Sequence, residues 1–138
     1  MKRATTIILF SALLMLPIIP FSCKSVKSDS TSDIVKKTMD LYIKGDYNKA
    51  AIYYVNLNDK PMSDDEIKTL STLLDFASQQ EKKKGGISTY NITDEKIDDN
   101  GLNAEVTFKK TFKDGSEDTG KTKLVKIDGK WFVTLKQK

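Results

Sequence analysis

Histidine is absent from the 138 residues, and cysteine occurs once, as Cys23. Without histidine there is no Ser-His-Asp or Cys-His arrangement, and the most frequent general base and transition-metal ligand are both missing. A lone cysteine cannot close a disulfide within the chain, so stability must come from a packed core. No metal site and no cofactor are predicted. Charge of one sign is not in large excess either, with 23 Lys and Arg against 19 Asp and Glu. Lys2 and Arg3 precede Cys23, so from Cys23 onward 21 basic residues face the same 19 acidic ones and the net charge falls from +4 to +2. So small a surplus gives little support to a nucleic-acid partner, and none is predicted. The clusters Lys82 to Lys84, Lys109 with Lys110, and Lys136 with Lys138 are read as solvated faces; weak attraction to anionic lipid is the alternative.

Only the amino-terminal end is strongly apolar. Lys2 and Arg3 are followed by Ile7 to Phe10 and Ala12 to Leu16, then by Pro17, Pro20, Ser22 and Cys23. A basic start, a short apolar stretch and a break before a small residue describe a secretory signal. With the sole cysteine at that break, residues 1–23 resemble a bacterial lipoprotein signal. The resemblance implies that residues 1–22 are removed and that Cys23 is acylated. Pro20 and Phe21 depart from the usual Leu and small residue, while Ser22 fits. An ordinary cleaved signal would need small residues at both Pro20 and Ser22, and an uncleaved anchor would need about 20 predominantly apolar residues. Residues 23–32 continue as lipidated cysteine and flexible tether, since Lys24 to Ser32 is rich in Ser, Lys and Asp and has no periodicity. The remainder, 33–138, is one domain's worth of chain.

Within it, Ser32 or Asp33 is placed to cap a first helix to about Lys44, with Ile34, Val35, Met39, Leu41 and Tyr42 on one arc. Gly45 ends it, and Asp46 is placed to cap a second helix from Tyr47 to about Val55. Ser63 and Glu66 form a capping-box pair for a third, whose stripe is Ile67, Leu70, Leu73, Leu74 and Ala77 and whose stop is Lys82 to Gly86. From Ile87 the period changes to two. Strands are predicted over Ile87 to Ile97, from Leu102 to Phe112, over Lys121 to Ile127, and around Trp131 to Leu135. Asp128-Gly129 marks a tight hairpin, Ser116 to Gly120 a longer hairpin end, and Phe132 faces away from the inward set. The order predicts an α+β domain, three helices packed on a curved four-stranded antiparallel meander.

The Gly45-Asp46-Tyr47 corner, the capped third helix and the ending Asp128-Gly129-Lys130-Trp131-Phe132-Val133, behind such a signal, resemble a family of small bacterial lipoproteins of unknown function. Their domain looks like a nuclear transport factor 2-like (NTF2-like), or cystatin-like, cone. That fold class holds isomerases and dehydratases beside many non-catalytic binders, so it selects no activity by itself. An enzyme reading would draw on Tyr42, Tyr53, Tyr54, Tyr90, Asp40 and Asp75, although the two aspartates lie off their helices' core stripes. A binding reading lines a pocket with Tyr54, Phe76, Tyr90, Phe108 and Trp131 for a small apolar ligand or peptide segment; alternatively these aromatics fill the core. An envelope protein partner is the third reading, favoured if Phe132 is exposed. The expectation is a non-catalytic protein anchored through Cys23 to a bacterial membrane, the outer one where two exist because Lys24 replaces the Asp of an inner-membrane retention signal.

Overall fold

The computed structural model describes residues 28–136. The predicted signal peptide, Cys23 and residues 24–27 of the predicted tether lie outside the described residues. Helix α1 spans Thr31–Lys44 and is capped by Ser30 rather than by Ser32 or Asp33. The Asp33 N–H donates to the Ser30 hydroxyl at 3.2 Å, and the Asp33 carboxylate accepts the Ser30 N–H at 3.0 Å. The folded domain therefore starts inside the predicted tether. Ile34, Val35 and Thr38 form the buried stripe of α1, and Gly45, at φ 83°, ends it.

Helix α2, Tyr47–Ala51, stops earlier than the expected Val55. The reason is the β-branched and aromatic run Ile52 to Val55, which finds a better partner in the sheet. Tyr54–Val55 forms strand β1, parallel to the last strand, and the Tyr53 carbonyl accepts the Val133 N–H at 2.9 Å. Nor does Asp46 cap α2 with its side chain; its carboxylate pairs with Lys49 at 3.3 Å. Helix α3, Asp64–Lys82, begins with the expected reciprocal box between Ser63 and Glu66. It stops before Gly85 and Gly86, both at positive φ.

Strands β2 (Ile87–Ile97), β3 (Asn103–Phe112), β4 (Glu117–Ile127) and β5 (Lys130–Thr134) complete a sheet in the order β1-β5-β4-β3-β2. It is a five-stranded mixed sheet, not a four-stranded meander. Strand β4 starts at Glu117 rather than Lys121, because the polar run Glu117 to Gly120 pairs with Phe108 to Thr111 and Glu117 meets Lys109 at 2.6 Å. Asp128 and Gly129 both take positive φ in the tight β4–β5 turn, as expected of this dipeptide. Irregularities between Ile87 and Thr89 and between Ile92 and Asp94 interrupt the ladder of edge strand β2. Such bulges bend a strand and re-aim its side chains.

The core lies between the sheet and α1: Ala104, Val106, Phe108, Leu124, Trp131 and Val133 pack with Ile34 and Val35. Gly120 sits opposite Phe108 in the ladder, and the ring lies over it. A β-carbon at 120 would stand 2.5 Å from Cζ of Phe108, closer than real contacts allow.

The two capping boxes also set an acid response. Hydrogen bonds from the backbone and then the side chain of Ser63 hold the Glu66 carboxyl below its ordinary 4.5, and the side chain and backbone of Ser30 likewise lower Asp33. A carboxyl lowered by folding stabilises the fold above its unfolded value, and that stabilisation is lost as pH falls through the folded value. Thermal unfolding followed from pH 6 to pH 3 is expected to show a shallower acid decline in Glu66→Gln than in the parent chain. An identical decline would remove Glu66 from the acid response.

Candidate cone-mouth binding site

A cavity of about 220 Å³ opens between α1, α3 and the inner face of the sheet. Val35, Met39, Leu74, Ala77, Phe108 and Val133 give it an apolar wall, and Tyr42, Tyr54, Glu81 and Lys110 supply its principal polar groups. Each polar group is aimed by its element. Glu81 follows Leu70, Leu74 and Ala77 at helical spacing along α3, and Lys110 sits between Phe108 and Phe112 in the inward alternation of β3.

The polar end is a connected cluster. The Tyr42 hydroxyl donates to Oε2 of Glu81 at 2.9 Å, while the Lys110 ammonium pairs with Oε1 of the same carboxylate. Only 14% of the Lys110 side chain and 17% of the Glu81 side chain are exposed, so this is the most buried ion pair among the described residues. Burial, and then the bond to Glu81, push the Tyr42 hydroxyl well above the ordinary tyrosine range. Burial alone raises Tyr54, whose hydroxyl makes no hydrogen bond among the described residues.

Of the five residues predicted to line a pocket, Tyr54 and Phe108 do so. Trp131 instead belongs to the core, 7% exposed, with Nζ of Lys126 5.4 Å from its ring centroid. Tyr90 is not part of the lining. Its hydroxyl donates to Asp40 at 2.7 Å, and burial together with that bond pushes it up to about 12. Phe76 is 64% exposed; three residues on from Leu73, it lies on the flank of α3 rather than along the stripe that faces the cavity. Asp75 accepts from Gln79 on the surface of α3, and Tyr53 packs against the core. Glu81 and Lys110 were missed because a charged residue at an inward position reads locally as a break in the pattern. Continuing each stripe by one more step would have found both.

Two other depressions, each of about 410 Å³, differ in character. The first crosses one end of the outer sheet face and is rimmed by both signs of charge, including Asp59, Lys96, Glu105, Lys123 and Lys136. The second is an apolar groove beside the start of α3, with Leu57, Met62, Leu70, Leu73 and Leu135. Phe132 is half-buried opposite Val125. Among the described residues no helix is long and apolar enough to cross a membrane, and no group of three or more side chains is arranged to hold a metal ion.

Residues 23–134 match the model of the domain of unknown function DUF4878. The chain belongs to this family. Its fold has a solved counterpart in a Campylobacter jejuni protein provisionally named an NTF2-like transpeptidase, with 21% identity and a TM-score of 0.64 over 78% of this chain and 100% of that one. At such identity the likeness concerns fold alone, and the fold of this chain is NTF2-like, as the sequence suggested. Aln2 from a Streptomyces species is a more distant match, at 12% identity and a TM-score of 0.47 over 78% of this chain and 90% of that one. A comparison with curated proteins gives no match.

Proposed function

We propose that the protein is a lipid-anchored, non-catalytic binding module of the bacterial cell envelope, held through acylated Cys23 and offering its cone cavity to a small ligand with an apolar body. The observation that carries the binding part is the cavity itself: an apolar wall with a polar end where Tyr42, Glu81 and Lys110 are joined to one another. Pockets built to hold small molecules share this combination of apolar lining and few placed polar groups. Support for the anchor comes from the signal pattern before Cys23 and from the family match, which begins at that residue. Lys24 in place of Asp favours the outer membrane. An envelope protein partner would use the apolar groove beside α3 or the half-buried Phe132 instead.

An isomerase- or dehydratase-like reading rests on the meeting of Tyr42 with Glu81 in the cavity. Tyr42 is poorly disposed for proton transfer, since it holds its proton more firmly than an ordinary phenol, and the Glu81 carboxylate is occupied by Lys110.

The anchor is tested by the intact mass of the protein purified from membranes, beside a Cys23→Ala variant. A species that begins at Cys23 and carries diacylglycerol and further acyl mass, lost in the variant, is the expected result. An unmodified chain, or cleavage elsewhere, would overturn the lipoprotein reading.

A further inference from the structure

We infer that the cone cavity takes a small monocarboxylate with a short apolar tail, its head at Lys110 and its tail against Met39, Leu74 and Ala77. This rests on the binding reading above and adds the chemistry of the ligand. Three features decide it. Lys110 has three donor hydrogens, and Glu81 is its one carboxylate partner among the described residues. An incoming carboxylate can therefore add to the pair, whereas an incoming amine would have to displace Lys110 from Glu81.

The local charge does not oppose this. Within the lining the one acid, Glu81, is balanced by the one lysine, Lys110. Lys84, which shares the ring of Phe112 with Lys110 at 4.6 and 5.7 Å from its centroid, and Asp118, opposite Lys110 in the ladder, are both solvent-exposed and outside the lining. Tyr54 adds a second donor, since it lines the cavity and its hydroxyl makes no hydrogen bond among the described residues.

Size limits the tail. At ~30 Å³ for each water-sized group, about 220 Å³ takes roughly seven to eight non-hydrogen atoms. Hexanoate, 1-hexylamine and 1-hexanol therefore make a matched set of probes that differ only in the head. The experiment is a calorimetric titration of the lipidated protein in discs of zwitterionic lipid, with empty discs as the blank.

One hexanoate is expected to bind per protein, about tenfold more tightly than hexanol, with hexylamine weakest. Glu81→Gln, which keeps a polar group beside Tyr42 but releases Lys110, is expected to tighten hexanoate several-fold. Lys110→Met should weaken hexanoate about tenfold and leave hexanol unchanged. A gain in affinity cannot come from a damaged fold, so Glu81→Gln decides the matter even if Lys110→Met unfolds. Preference for hexylamine, or hexanoate binding unchanged or weaker in Glu81→Gln, would overturn the carboxylate assignment while leaving the cavity a binding site. Failure of all three probes to bind would overturn the cavity reading as well.

Discussion

Gly120→Ala is expected to destabilise the domain by about 2–3 kcal/mol, although alanine normally outperforms glycine inside a strand. In a domain of this size such a loss lowers the unfolding midpoint by roughly 10–15 °C. The cause is the ring of Phe108, which lies across the position where the new methyl group must go, with Cζ at 2.5 Å and Cε2 at 2.7 Å. Phe108 is 8% exposed and packed among Val106, Leu124 and Val133, so it cannot move aside without disturbing the core. The double variant Gly120→Ala, Phe108→Leu relieves the clash. Its loss should fall short of the two single losses added together by at least about 1 kcal/mol. Chemical unfolding of the four proteins gives the coupling directly. Additive losses, or a Gly120→Ala protein as stable as the parent, would show that Phe108 does not occupy that space.

The second large effect concerns the cavity's ion pair. Lys110→Met alone leaves the Glu81 carboxylate with the Tyr42 hydroxyl but without a counter-charge, and is expected to cost about 3 kcal/mol. Glu81→Leu combined with Lys110→Met removes both charges and puts apolar groups against Leu74 and Ala77. That pair of changes should recover most of the loss, because desolvating two ions offsets much of what their attraction contributes. Unfolding midpoints of the parent, single and double variants at pH 7 measure it. If Lys110→Met costs less than ~1 kcal/mol, the pair behaves as a surface bridge. The cavity would then be wetter than its geometry implies.

These effects depend on features that differ greatly in how far they can be seen in the sequence. The capping box at Ser63 and Glu66, the stop at Gly85-Gly86 and the Asp128-Gly129 turn were all legible, because each is settled by atoms within a few residues. The inward alternation expected of Leu102, Ala104, Val106 and Phe108 was legible from the period of two and holds from Ala104 on, whereas Leu102 precedes β3 and is exposed. The break between α2 and β1 was not. Tyr54 and Val55 can continue a helix as far as local spacing is concerned, and only Val133 and Thr134, nearly eighty residues later, provide the parallel ladder that draws them into the sheet. The start of β4 was misplaced for a related reason. Glu117 to Gly120 looks like a polar loop until Lys109 and the Phe108 ring are known to lie opposite.

The candidate site divides along the same line. Tyr54 and Phe108 were anticipated as lining residues and are, whereas Trp131 went to the core, Tyr90 to a bond with Asp40, and Phe76 to the outside of α3. Aromatic content says that a residue has apolar area to bury, not against what.

By itself the sequence determined the α+β class, the three helices and their main punctuation, the antiparallel run from Ile87 onward, and the absence of histidine and disulfide chemistry. Those properties follow from composition, from periodicity and from contacts between near neighbours along the chain. Tertiary structure decided the fifth strand and the meeting of Tyr42, Glu81 and Lys110 at the cavity, three residues separated by 39 and 29 positions. Their convergence is set by how α1 packs on the sheet and α3 on α1 and α2. That packing is a sum of many apolar contacts, and no single local pattern records it.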